Sequence, residues 1–370
     1  MDKIRAAQLT CTIYNSVVDR ALAKLQEIGV RSYHAQPSRA TVLRRREGLW
    51  GIGAGLVLEE EPATRLTFHV PVESAEDALQ ALISACGLQV PGRGSAVYDE
   101  VEIVAESGWE APEIAPFGDA NRMPLRDDLS SIVCTVQQDY GNHLAQSALD
   151  LGVPMPQVTT GEGTGLRDKL GLIRITVPAA KEIVHVTVPD QESEEIFAAL
   201  VTAGRINELG AGFIYDSPGT RGIINNMVVR GQQHSASMEQ LIAAVDEMKG
   251  SADWRRRVLS EETQGYRYLH DLVCMILVCN EGHASDLVIA AMSAGAGGAT
   301  ISKQSYVSFD GEDGAISPAR ETTELIVGQG AVESIHDALR DAGLYGDEIS
   351  GCIALKKVDV ACTHLGAPRD

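Results

Sequence analysis

Residues 159–221 read TTGEGTGLRDKLGLIRITVPAAKEIVHVTVPDQESEEIFAALVTAGRINELGAGFIYDSPGTR. The order is a glycine-rich turn, a loop, a strand, an amphipathic helix, and a second glycine turn that opens another strand. Gly161, Gly163 and Gly165 give backbone freedom where a strand ends, and Gly210 and Gly212 give it again before Phe213-Ile214-Tyr215. Backbone amides without side chains at both places suit contact with one small anionic ligand.

Outward from this stretch the same order of elements appears on both sides. Upstream, Leu9, Cys11 and Ile13 alternate as in a half-buried strand, and Val18, Ala21, Leu22, Leu25 and Ile28 follow at helical spacing up to Gly29. A strand near residues 33–40, a long connector, the strand 66–70 and a helix through Leu79 and Leu82 to Gly87 complete that segment before a final strand at 95–104. Ile132–Val136 and Leu144 to Gly152 open the second segment, and Leu272–Cys279 and Leu287 to Gly295 open the third. Cys11, Val70 and Gly94 recur as Cys134, Val188 and Gly212, and again as Cys274, Val327 and Gly351, each set displaced by nearly the same number of residues. The expected organisation is therefore unit 1 over 1–105, a linker over 106–128, unit 2 over 129–222, a linker over 223–269 and unit 3 over 270–370. The first linker, with Pro112, Pro116 and Pro124 among acidic residues, reads as exposed; the second holds an amphipathic helix through Met238, Leu241, Ile242, Val245 and Met248, followed by Arg255-Arg256-Arg257.

Composition narrows the function classes. The chain has 370 residues, 44% of them hydrophobic, enough to give two or three domains a core each. A formal net charge of -20 argues against nucleic acid as a partner, because phosphate-backbone binders present clustered Lys and Arg. No apolar run is long enough to span a membrane and no secretory core follows Met1, so a cytoplasmic, non-embedded protein is expected. Seven cysteines scattered over the chain, several of them (Cys11, Cys134 and Cys274) within apolar strand-like runs, read as reduced core residues.

The GEGTG at 161–165, KEIVHVTVPD at 181–190 and the segment from Ala203 to Arg221 resemble the PII signal-transduction superfamily. The resemblance implies an α+β fold, with three tandem ferredoxin-like βαββαβ units packing their sheets as a single-chain pseudo-trimer. It further implies adenine nucleotides in the clefts between units, held by the base of a long loop and by the glycine turn before the last strand. On that basis Gly161, Gly163, Thr164 and Gly165 match the loop base, Lys181 the lysine before the third strand, Gly210 and Gly212 the glycine turn, and Arg221 the arginines after the last strand. In unit 1 the corresponding candidates are Gly92, Arg93 and Gly94, with Arg39; unit 3 offers Lys303, Gly346 and Gly351. PII proteins carry a lysine directly after the glycine turn, where this chain has Phe213, so ADP, AMP or a cyclic nucleotide is as fitting a ligand as ATP.

The expected function is a non-catalytic regulator that binds a small effector and signals through its loops, chiefly 166–180, to a target. By resemblance that target is a membrane transporter, an enzyme or a transcription regulator, and the expected assembly is a monomer or a dimer. A ferredoxin-like enzyme of unnamed chemistry and a structural relic without ligand are the alternatives. No Ser-His-Asp, His-Glu-x-x-His or paired-carboxylate pattern stands out. Cys274, Cys279 and His283 fit no zinc spacing and read as core, and Arg44-Arg45-Arg46 reads as a solvated loop tip.

Overall fold

The computed structural model describes residues 1–46, 55–90, 92–165, 180–206, 208, 210–224, 267–309 and 319–364. The expected helix at 238–249, the Arg255-Arg256-Arg257 stretch and nearly all of the loop 166–180 lie outside the described residues. In chain order the elements are β1 (Lys3–Tyr14), α1 (Val18–Glu27), β2 (Ser32–Arg46), β3 (Gly55–Val70), α2 (Ala75–Cys86) and β4 (Gly94–Val104). Next come β5 (Arg126–Gln137), α3 (Gly141–Asp150), β6 (Gln157–Gly165), β7 (Ala180–Pro189), α4 (Asp190–Ala203) and β8 (Gly212–Ile223). The remainder is β9 (Arg267–Leu269), β10 (Leu272–Asn280), α5 (Ala284–Ser293), β11 (Gly298–Ser308), β12 (Ala319–Gly328), α6 (Val332–Asp341), β13 (Gly351–Val358) and β14 (Val360–Thr363).

Local chemistry sets these boundaries. α2 stops at Gly87, whose φ of 66° lets Leu88 N–H turn back to the Ile83 carbonyl at 3.0 Å, closing a left-handed cap. Asp190 and Glu192 fill the first turn of α4, where the exposed N–H groups and helix dipole favour negative charge. Along β1, Leu9, Cys11 and Ile13 pack on the helix side with Leu25 and Leu79, all fully buried. Corresponding clusters form under α3 and α4 around Leu144, Phe197 and Leu200, and under α5 and α6 around Leu277, Leu287 and Leu339.

The strands correct the expected architecture of three tandem ferredoxin-like units set as a pseudo-trimer. They form one continuous 14-stranded antiparallel sheet in the order β11-β12-β10-β13-β4-β1-β3-β2-β6-β7-β5-β8-β14-β9. Ten strands close into a barrel and four are additional, so there are no separate unit sheets stacked face to face. Closure comes from edge pairing: β11 returns to β2 at Ser305↔Ala35 and to β6 at Gly163↔Thr300, and β4 meets β8 at Tyr98↔Arg221. A free edge carries unpaired N–H and C=O groups, and joining edge to edge satisfies them.

The stretch between β4 and β5 is mostly exposed, and it is tied to the helices beside it. Ala115 N–H donates to the Ile28 carbonyl at 2.9 Å, Gln80 brackets Met123 through two hydrogen bonds, and Arg122 bonds the Asp77 carboxylate. Ile114, Phe117 and Leu125 pack against the core beneath α1 and α2, which makes the segment a strap over those helices.

Candidate functional site

The hairpin of β6 and β7 carries the cluster. Its ladder ends at Gly161↔Lys181 and Glu162↔Ala180, while the opposite edge of β6 pairs with β11 through Gly165↔Gly298. Gly161, Gly163, Thr164 and Gly165 are therefore strand residues and not a turn. The reason is close packing: a Cβ on Gly161 would lie 2.9 Å from the Ile301 carbonyl oxygen, and one on Gly163 would lie 2.9 Å from Cε of Lys181. The Thr164 hydroxyl donates to the Ala299 carbonyl at 3.3 Å.

Lys181 is buried at 9% exposure, its stem lies over Gly163, and its Nζ is 3.5 Å from the Gly210 carbonyl. The same carbonyl accepts from Gln137 Nε2 at 3.1 Å. Gly210 has φ of 76° and turns the chain into β8, where Gly212 touches β5 so closely that a Cβ would come within 2.2 Å of the Thr135 carbonyl oxygen. The structure thus brings Gly163, Lys181 and Gly210 together beside the start of the 166–179 segment, with Gly161 and Gly212 as the packing contacts that allow it.

The other expected site residues stand elsewhere. Arg221 lies nine residues along β8 from Gly212, about 30 Å for an extended strand. It hydrogen-bonds Tyr98, which raises its pKa further, with Glu100 and Asp127 adding to the effect. Gly94 approaches the Thr12 carbonyl of β1, and the Arg93 guanidinium occupies the space beside Gly87 at the end of α2. Arg93 thus packs at the end of α2, and Gly94 serves the close approach of β4 to β1. Arg39 forms an ion pair with Glu182 at 2.5 Å and another with Glu60 at 3.2 Å. Lys303 pairs with Glu281 at 2.8 Å.

Two groupings were not read from the sequence. Glu182 follows Lys181 and faces the opposite way: one oxygen binds Arg39, and the other accepts the Gly141 N–H at 2.7 Å, capping α3. Inside the barrel, Lys356 pairs with Asp99 at 2.8 Å, Thr220 donates to Asp99 at 2.5 Å, and Tyr215 donates to Glu324 at 2.8 Å. Arg65 reaches Gln157 at 3.4 Å; burial lowers its pKa, while Glu324, Tyr215 and Asp99 oppose that shift. His185, next to Thr159, is held well below its usual pKa by burial and by the positive charges of Arg65 and Lys356. Burial drives the Tyr215 and Cys274 groups upward. No shared sequence pattern marks this network: Asp99 alternates with Val97 and Val101, Lys356 with Ala354 and Val358, and Cys274 with Leu272 and Ile276.

Chemically, the Lys181 cluster offers one buried cation beside glycine backbone and the Gly210 carbonyl. Cys274 lies in the barrel cluster and Cys279 in the cluster beneath α5, so the two do not converge on one ion. Among the described residues no group of three His, Cys, Asp or Glu side chains is placed to hold a metal, and no helix is long and apolar enough to cross a membrane.

No family model matches the chain, and no curated protein matches it. Among solved structures it is similar to the B. subtilis GlnK-ATP complex, with 12% identity over 27% of this chain and 87% of that one and a TM-score of 0.23. It is also similar to aspartate kinase from Synechocystis, with 9% identity over 93% of this chain and 55% of that one and a TM-score of 0.18. At these scores neither likeness bears on the fold or the ligand.

Proposed function

We propose that the protein is a non-catalytic regulator that binds an adenine nucleotide at the Gly163–Lys181–Gly210 cluster and relays occupancy through residues 166–179. The observation that carries this reading is the convergence of Lys181, Gly163 and Gly210 at the two ends of that segment. A phosphate entering there would meet the Lys181 ammonium, whose Nζ lies 3.5 Å from the Gly210 carbonyl, in a charge-assisted contact. Because Gly165 and Ala180 flank the segment, a ligand on Lys181 biases both of its ends, which is what coupling to a distant target requires. The protein target, in this reading, is a membrane transporter contacted from outside the bilayer.

Calorimetry with ATP, ADP, AMP and cyclic AMP tests the proposal. Saturable binding of at least one, weakened about tenfold or more by Lys181→Ala, is expected for loss of a charge-assisted contact. Absence of binding across the panel, or affinity unchanged in Lys181→Ala, rejects it.

A further inference from the structure

We propose that a second site, for a small dianion of the phosphate or dicarboxylate class, lies in the crevice where β13 parts from β4. The two strands pair only at Ala354↔Ile103 and Leu355↔Glu102, and β4 reaches β8 only from Ala96 to Tyr98. Between those ladders β4 leaves a gap beside Glu100 and Val101. It forms a cleft of about 260 Å³ with Lys3, Arg5, Glu100, Glu102, Lys356 and Lys357 on its walls.

The charge of this cleft runs against the rest of the chain. The protein carries a net charge of -20, whereas the side chains facing this cleft are three cations, Lys3, Arg5 and Lys357, against Glu100 and Glu102, since the Lys356 ammonium turns to Asp99 inside the barrel. Those carboxylates are already matched, Glu102 by Lys3 at 2.7 Å and Glu100 by Arg5 at 2.9 Å, and Lys356 is matched by Asp99. Lys357 is exposed and has no ion-pair partner among the described residues. The uncompensated charge is therefore positive, and Arg5 keeps further N–H donors for an oxyanion beyond the one given to Glu100.

Size and lining restrict the ligand. The lining residues include no aromatic ring to stack a nucleobase, and their apolar part is Val101, Val273 and Leu355. A compact molecule with two anionic groups fits that chemistry; a nucleoside does not. The site is also independent of Lys181, which takes no part in this lining.

Calorimetry and thermal shift with pyrophosphate and with succinate, each against sodium chloride at matched ionic strength, test the site on the full chain. The expected result is saturable binding of one of the two by wild type and by Lys181→Gln. Lys357→Glu should weaken that binding about tenfold or more while melting like wild type without ligand. Arg5→Gln, also at an exposed position, provides a second variant should Lys357→Glu fail to fold. Binding of pyrophosphate alone identifies a phosphate ligand, and binding of succinate alone a dicarboxylate. No saturable binding of either probe, or equal binding in Lys357→Glu and Arg5→Gln, overturns the proposal, as does loss of binding in Lys181→Gln.

Discussion

Replacing Lys356 by methionine removes the ammonium but keeps most of the stem, and isolates the charge inside the barrel. In the native protein Nζ of Lys356 sits 2.8 Å from Asp99, with the two side chains 12% and 8% exposed. After Lys356→Met, Asp99 keeps the Thr220 hydroxyl at 2.5 Å and the more distant field of Arg65, but loses its ion pair. Breaking one side of a buried pair costs about 3–5 kcal/mol. The retained hydroxyl places this case near about 3 kcal/mol. The double variant Asp99→Asn/Lys356→Met removes both charges, so it should recover about 2 kcal/mol relative to the sum of the single variants. Urea denaturation followed by far-UV circular dichroism reads this as a lower midpoint at unchanged slope for Lys356→Met, with partial recovery in the double variant. A loss below about 0.5 kcal/mol, or strictly additive single effects, would refute the buried network.

Three further outcomes follow from the packing and titration. Gly212→Ala should lose about 1–3 kcal/mol, because its Cβ meets the fixed Thr135 carbonyl at 2.2 Å; Gly163→Ala should lose less, since it meets only the flexible Lys181 stem at 2.9 Å. Equal losses in chemical denaturation would contradict that contrast. Burial lowers the pKa of His34 to about 3, with His69 and Arg320 adding to the effect, and that of His69 to about 4. Unfolded imidazoles titrate near 6.5 and bind protons that the folded ones refuse, so these two groups make stability fall as pH drops from about 6.5 towards 4. His69→Gln should flatten that fall, and an unaltered slope would count against it. Edge-to-edge closure leaves the three-residue β9 at the end of the sheet among the described residues, so light scattering should show a monomer and not a trimer of chains.

What the sequence disclosed follows physical range. The alternation of Leu9, Cys11 and Ile13 and the stop at Gly87 are local patterns, and they appear as β1 and the end of α2. Closure of the sheet was not legible, because pairs such as Ser305↔Ala35 join strands far apart in the chain with no shared local signal. The same holds for Asp99 and Lys356, each an unremarkable polar residue until opposed. Glycines misled in one place: Gly161 and Gly163 signal a turn on local grounds, but they lie in β6 because Ile301 and Lys181 crowd their Cα atoms. Lys181 beside Gly163 was within reach of hairpin reasoning. Arg221 was misplaced because the length of β8 carries it to the far end of the strand.

The most direct test of the account is a calorimetric titration of ADP into wild type, Lys181→Ala and Lys357→Glu. The account predicts one saturable site in wild type, the same affinity in Lys357→Glu, and a loss of about tenfold or more in Lys181→Ala. Binding that persists undiminished in Lys181→Ala, or that disappears in Lys357→Glu, would contradict it.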